Sequence, residues 1–173
     1  MRASRRIALI AALAAVALTI FVAESQIPPF LPIPGVKLGL ANIVTLVAMV
    51  ILNRRDALAI LLVRLVLGAA FTGGFSAFLF SVAGGLAAYA VMAALVGLFP
   101  EKLLWVVSVF AALAHNAGQM LVAVFVTGTP GIMIYILILA ASGVVTGVFT
   151  GFAAIFLIRA VRKSGIAGKN QGK

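Results

Sequence analysis

Arg64 is the residue whose position in the sequence most strongly indicates chemistry. It lies near the middle of an apolar run, residues 57–71, in a chain that is 65% hydrophobic and 9% charged. A guanidinium inside a bilayer costs about 2.5–3.5 kcal/mol on insertion scales, so it needs a partner, a water-filled cavity or a function. Arg64 is therefore predicted to bind a ligand. The alternative is that it bonds only to amides, hydroxyls and carbonyl groups of its own helix bundle.

Further polar residues fall at mid-depth or in the outer half of their apolar runs, when depth is counted at about 1.5 Å per helical residue. His115 and Gln119 share one helix face through their i, i+4 spacing. Because the inner half is almost purely apolar, the pattern predicts a pocket open to the outside and not a through-pore. The predicted substrate-binding residues are Lys37, Asn42, Arg64, Ser81, His115, Asn116 and Gln119.

The charge of this set indicates the kind of ligand. Lys37, Arg64 and a protonated His115 would be cationic, and Glu24 is the sole acid on the same side. A carboxylate or phosphate would supply the counter-charge, and arginine binds both through paired hydrogen bonds. Two alternatives stay open: His115 could be a neutral ring bonded to a helix neighbour, and Lys37 could extend to the outer lipid headgroups.

The composition excludes several classes of protein. A mean hydropathy of +1.29 indicates an integral membrane protein. With three acidic residues and no cysteine, the chain cannot build an aspartate-rich magnesium site or a thiolate metal centre. A single histidine argues against any other metal site, so no metal or cofactor is predicted. The net charge of +10 lies mainly at the ends of apolar runs, which fits membrane orientation better than nucleic-acid binding.

The apolar runs predict an all-α membrane protein of six transmembrane helices in a single domain, residues 1–163. The spans are expected near 7–23, 38–52, 57–71, 75–98, 103–127 and 132–158, followed by a flexible cytoplasmic tail at 164–173. Lysine and arginine concentrate on one side if both termini are cytoplasmic. The first run also resembles a signal peptide, but its removal would leave a mismatched charge pattern, so retention is favoured.

The segment between the first two spans is rich in proline and apolar side chains. Proline forbids helix here, while the apolar residues disfavour a freely solvated loop. The segment is predicted to be a lid over the pocket, and the alternative is a connector in the lipid interface. The predicted lid residues are Pro28, Pro29, Phe30, Pro32 and Pro34.

Small residues recur at four-residue spacing on the cytoplasmic half of the first span. Such a smooth stripe permits close approach of another helix, within this bundle or on another subunit. The residues are Ala8, Ala11, Ala12 and Ala15.

Four separated motifs together resemble one known family. They are PGVKLGLANIVTL at residues 34–46, the arginine-centred third span, FSAFLFSVAGG at 75–85 and AHNAGQ at 114–119. They resemble the family named both Gx transporter and heptaprenyl diphosphate synthase component I, which is similar in turn to the S components of energy-coupling-factor (ECF) transporters. The resemblance implies a six-helix bundle, a lid at residues 25–34, a ligand pocket at the polar set above, and docking of the alanine stripe on a coupling subunit.

The leading hypothesis is a multi-pass protein of the cytoplasmic (inner) membrane that captures a small anionic substrate from outside, with phosphate- or isoprenoid-bearing molecules as candidates. The chain has no GxxxxGK[ST] motif, so ATP hydrolysis would need separate subunits. The alternative is a non-catalytic membrane subunit of heptaprenyl diphosphate synthase in isoprenoid synthesis. A catalytic role with His115 as general base is disfavoured, because no nucleophile or acid pairs with it.

Overall fold

The computed structural model describes residues 3–27, 37–72 and 75–165. Within these ranges the chain forms six α-helices and no strand, which confirms the prediction of an all-α, six-helix fold. The helices are α1 (Ala3–Ser25), α2 (Asn42–Ile51), α3 (Arg54–Thr72), α4 (Phe75–Leu95), α5 (Leu104–Thr127) and α6 (Ile136–Lys163). Short 3-10 turns, Glu101–Leu103 and Pro130–Tyr135, lead into α5 and α6.

Four of the helices are long and apolar enough to cross a membrane by length and composition. They are α1, α4, and α5 and α6 together with their leading turns. The remaining two differ because α2 has only 10 residues and α3 carries four charged residues among its 19. The chain is a multi-pass membrane protein in which α2 and α3 differ from the usual spanning helix, the first in length and the second in charge.

Helix α2 lies at the centre of the bundle. It packs against α1, α3, α4 and α6, and every one of its residues except Val50 is buried. It begins at Asn42, four residues after the predicted start at residue 38, because residues 37–39 are non-helical and Gly39 has a φ of +78°. A helix enclosed by protein on all sides does not need to match the thickness of the bilayer.

Helix α5 lies between α4 and α6 and approaches both closely through glycines. A Cβ on Gly147 would lie 2.6 Å from the Val109 Cα, and one on Gly151 would lie 2.4 Å from the Trp105 Cα. The glycine stripe of α6 therefore serves packing inside the bundle, where small residues allow helix backbones to meet.

One end of the bundle, here called the basic end, is held together by ion pairs. Arg6 of α1 donates to both carboxylate oxygens of Asp56 at the start of α3, over 2.8 Å and 2.5 Å. Asn53 caps α3 by accepting from the Asp56 N–H and donating to its carboxylate. Glu101, before α5, pairs with Arg162 and Arg159 of α6. These contacts join α1 to α3 and join the turn before α5 to α6 at this end.

Candidate functional site

A polar pocket lies in the half of the bundle away from the basic end. The non-atom space among its lining residues is about 230 Å³, with the open space at its mouth included. The enclosed part of this space is about 10 Å³, room for about one water molecule, so binding a solute requires the pocket to widen. The lining residues are Phe21, Glu24, Lys37, Gly39, Arg64, Ser81, His115 and Gln119, contributed by α1, the segment before α2, α3, α4 and α5.

Two cationic side chains reach this pocket without hydrogen-bond partners for their buried nitrogens. Arg64 is 2% exposed, and Lys37 is half-buried. Among the described residues, neither Arg64 Nε nor Lys37 Nζ has a hydrogen-bond partner. Buried polar groups are normally paired, and buried charges are expensive when they are not. The two nitrogens are therefore the groups in the pocket best placed to bind something from outside the chain.

Both cations lie near the same aromatic ring. Lys37 Nζ is 3.6 Å from the centroid of the Phe21 ring, and Arg64 Cζ is 5.7 Å from it. The ring itself is held in place by Gly68 of α3, where an added Cβ would come within 2.5 Å of Phe21 Cε1. The negative face of an aromatic ring attracts cations at these distances. Phe21 therefore helps to keep two like charges close together.

Glu24 at the end of α1 contributes the pocket's one carboxylate among the described lining residues. Its Oε1 accepts from the Gly39 N–H over 2.6 Å, and its Oε2 accepts from the Leu40 N–H over 3.0 Å. These N–H groups precede the first turn of α2, where helix amides are free and favour an anion. Glu24 thus joins α1 to the segment that leads into α2.

A chain of hydrogen bonds joins α2, α5 and the Lys37 backbone. Asn42 Nδ2 lies 3.3 Å from His115 Nδ1. With the Gln119 amide assigned so that its oxygen faces donors, that oxygen accepts from His115 Nε2 over 3.2 Å and from the Lys37 N–H over 3.1 Å. The Gln119 nitrogen then donates to the Lys37 carbonyl over 3.0 Å. His115 is therefore bonded at both ring nitrogens, in agreement with the neutral-ring alternative.

Glycines provide the room for this histidine. A Cβ on Gly84 of α4 would lie 2.7 Å from His115 Cε1, and one on Gly39 would lie 3.0 Å from His115 Cδ2. The ring fills the gap between α4 and the start of α2, and its position is consequently sensitive to any side chain at either glycine.

The structure brings most of the predicted site residues together. Five of them line the pocket: Lys37, Arg64, Ser81, His115 and Gln119. Asn42 lies beside it through its contact with His115. Asn116 points elsewhere, since its Nδ2 donates to the Leu139 carbonyl of α6 over 2.6 Å and it lies against Gly143.

The other predicted segments stand as follows. The lid residues Pro28, Pro29, Phe30, Pro32 and Pro34 lie outside the described residues. All four alanines of the predicted docking stripe, Ala8, Ala11, Ala12 and Ala15, are exposed in the folded chain. Of the predicted tail, the described part includes Ser164 and Gly165.

Sequence reasoning did not include Phe21, Glu24 or Gly39 in the site. Phe21 is one of 12 phenylalanines in an apolar chain, so its type carries no signal. Glu24 did carry a signal, because it is an acid at the end of an apolar run and lies away from the basic end. Its role depends on the return of the chain at Gly39, which spacing alone does not predict.

The arrangement suits binding more than chemistry. In the described part of the chain, no group of three or more His, Cys, Asp or Glu side chains comes together to hold a metal ion. The fold and the site together define a six-helix multi-pass membrane protein with a polar, cation-bearing pocket in one half of the bundle.

Comparisons with known proteins agree with this class. A family model described as heptaprenyl diphosphate synthase component I matches residues 13–157, and the chain belongs to that family. No curated protein matches the sequence. A solved structure titled "Structure and mechanism of the S component of a bacterial ECF transporter" is 21% identical, with a TM-score of 0.67, and the match covers 94% of this chain and 98% of that one. The two proteins share a fold.

Proposed function

We propose that the chain is a substrate-binding membrane protein of the ECF S-component type, which captures a small anionic solute from outside the cell. The observation that carries this proposal is a pair of nitrogens, Arg64 Nε and Lys37 Nζ, that lie at one pocket and have no hydrogen-bond partner among the described residues. An anion bound between them would supply the missing hydrogen-bond acceptors and offset the repulsion between the two cations.

The proposal accounts for the cost of burying Arg64. Within the described ranges, no ion pair includes Arg64, Lys37 or Glu24. A purely structural arginine would be expected to use its Nε in a hydrogen bond to the bundle. Phosphate- or isoprenoid-bearing anions are among the candidate ligands, since the pocket combines cations with the apolar ring of Phe21.

The lid belongs to the same proposal. The described segment just after the proline-rich loop is anchored at the pocket, through Glu24 to Gly39 and Leu40 and through Gln119 to the Lys37 backbone. Closure by Pro28, Pro29, Phe30, Pro32 and Pro34 would exclude water from the bound anion.

Delivery across the membrane would use a coupling module. The alanine face of α1 is exposed in the described part of the chain and smooth enough for a second helix to approach. The similar solved structure is named as the S component of an ECF transporter. ATP hydrolysis would come from separate subunits, and this chain itself would be non-catalytic and reside in the cytoplasmic membrane.

The test is untargeted solute uptake. Cells expressing the wild-type chain with an ECF module, the wild-type chain alone, or an Arg64→Ala variant with the module would be compared for solutes depleted from the medium. We expect one or more anions to be depleted by the wild type with the module and not by Arg64→Ala. Mass spectrometry of the medium identifies the solute, and immunoblotting verifies equal membrane abundance.

Arg55→Ala is the matched control, because Arg55 is an exposed arginine about 14 Å away along the same helix, outside the pocket. It should transport as the wild type does. If no depleted solute depends on Arg64 while both variants reach the membrane, the transport proposal fails.

The family description favours a second candidate, a membrane subunit of heptaprenyl diphosphate synthase. One aspartate, Asp56, which is bonded to Arg6 at the basic end, cannot form an aspartate-rich catalytic site. The role would therefore be to hold or assist a catalytic partner. Co-purification with a prenyl diphosphate synthase and loss of its long-chain product on deletion of this chain would favour this candidate, provided that both the wild type and Arg64→Ala restore the product.

A further inference from the structure

The charges at the pocket specify more than the sign of the ligand's charge: they also indicate its magnitude. Three lining residues are charged by type: Lys37, Arg64 and Glu24. The undescribed residues 28–36 include no charged residue in the sequence. Two cations and one carboxylate leave a single positive charge in excess.

The negative charge of Glu24 is a permanent part of the charge balance in the pocket. It is 5% exposed, and both of its oxygens accept backbone N–H bonds. Two donors facing the two oxygens suit a carboxylate, since a protonated acid would turn its hydrogen towards one of them. Leaving these bonds would strand two backbone donors in a buried place, so the carboxylate stays when a ligand arrives.

His115 does not add to the positive charge in this geometry. Its Nδ1 faces the Asn42 amide nitrogen, which is a donor, so Nδ1 acts as the acceptor and the ring is neutral. Its Nε2 then donates to the Gln119 oxygen. Ser81, the remaining polar lining residue, is uncharged.

We propose that the pocket selects a compact monoanion, and that Glu24 sets this selectivity by cancelling one of the two cationic charges. The inference rests on the proposed anion-binding function and narrows it. A monoanion leaves the pocket neutral, whereas a dianion leaves one uncompensated negative charge inside the membrane bundle. The matching chemistry is a single carboxylate or a phosphodiester, and a free diphosphate is disfavoured.

The test compares two four-carbon probes, butyrate with one charge and succinate with two, at about pH 8. Isothermal titration of the detergent-solubilised full-length protein gives the Kd of each. We expect the wild type to bind butyrate at least about tenfold more tightly than succinate, because an unpaired charge is strongly disfavoured in this surrounding. Equal or tighter binding of succinate, or binding of neither probe, overturns the proposal.

Glu24→Gln is the decisive variant, since it removes the carboxylate charge and keeps the side-chain shape. It should reverse the preference to favour succinate, while Glu24→Asp, which keeps the charge, should retain the preference for butyrate. An unchanged ratio in Glu24→Gln overturns the role of Glu24. Lys37→Gln covers the case in which Glu24→Gln does not fold, because the Lys37 ammonium makes no hydrogen bond to the described residues. It should weaken butyrate binding at least about tenfold, and unchanged affinity contradicts the charge balance.

Native mass spectrometry of the gently extracted wild type separates this inference from the proposed function. A small co-purified monoanion supports both. A co-purified dianion overturns the proposed selectivity for monoanions, but it still supports the proposed anion-binding function. An anionic phospholipid in the pocket contradicts the proposal that the ligand is a compact solute, although the phosphodiester of the lipid carries the same single charge.

Discussion

Lys37 Nζ lies 3.6 Å from the centre of the Phe21 ring and within the pocket lining. The ammonium is therefore turned inward, onto an aromatic face. This differs from the alternative in which Lys37 extends to the lipid headgroups. This contact also explains why a phenylalanine near the end of α1 is only 4% exposed.

Phe21→Leu should lower the stability of the protein. The change removes the cation–π contact and leaves space beside Gly68, so we expect the free energy of unfolding to fall by about 1–3 kcal/mol. Thermal unfolding of the detergent-solubilised protein measures the effect. Phe156→Leu is the control, because Phe156 is 73% exposed on α6. A similar loss in both variants would argue against a special role for the Phe21 contact.

The sequence predicted the fold and the cationic part of the site better than it predicted the contacts that hold the site together. Arg64 was recognisable because a guanidinium in an apolar run has few explanations. The sequence shows Glu24 as an acid on the same side, but its bonds to Gly39 and Leu40 depend on how the chain returns after the proline-rich loop. Helix periodicity does not encode that return.

Asn116 illustrates a second limit of sequence reasoning. It neighbours His115 in the sequence, but consecutive helical residues point about 100° apart, so only one of the two can face the pocket. His115 faces it, and Asn116 faces α6. Which of the two residues faces the pocket depends on how α5 packs against both of its neighbours.

Gly84→Ala should disrupt the pocket. Its new Cβ would lie 2.7 Å from His115 Cε1 and 2.8 Å from His115 Nδ1, which displaces the ring from Asn42. We expect a loss of about 1–3 kcal/mol in stability and a loss of Arg64-dependent uptake. Gly97→Ala is the matched control, because the nearest heavy atom to its Cβ is 3.5 Å away, an ordinary contact. Normal uptake by a folded Gly84→Ala variant would show that the ring position is not critical.

The ion pair at the basic end predicts a pH dependence. The Arg6 guanidinium, by hydrogen bonding, lowers the pKa of Asp56 below its ordinary value. A lowered folded-state pKa gives stability that is present above the unfolded value of about 4 and is lost as the pH falls through the folded-state pKa. Asp56→Asn should therefore reduce the thermal midpoint at pH 7, and its difference from the wild type should shrink below about pH 4.

Arg6→Gln tests whether the pair is the cause. Added to Asp56→Asn, it should produce little further loss, because the partner charge is already gone. A difference between the wild type and Asp56→Asn that stays constant from neutral to acid pH would contradict the ion-pair explanation.

The exposed alanine face of α1 predicts a defect specific to coupling. Ala12→Trp places a large side chain where a second helix is proposed to approach, so it should abolish module-dependent uptake and retain ligand binding. Co-purification with the coupling subunit measures docking directly. Ala90→Trp, at an exposed alanine of α4, is the control. Equal co-purification of both variants with the coupling subunit would locate the docking surface elsewhere.

Asn116→Ala separates packing from ligand binding within the predicted site. The Asn116 amide donates to the Leu139 carbonyl, which also accepts from Ser142 Oγ over 2.9 Å and so keeps a partner in the variant. We expect a loss of about 1 kcal/mol in stability, the usual value of one buried hydrogen bond, with uptake unchanged. Gln119→Ala makes the matched comparison, since Gln119 lies three residues further along α5 and bonds to the Lys37 backbone. It should reduce uptake strongly, because the segment that carries Lys37 loses its anchor on α5. If Asn116→Ala abolishes uptake while the protein remains folded, the contact between α5 and α6 reaches the pocket after all.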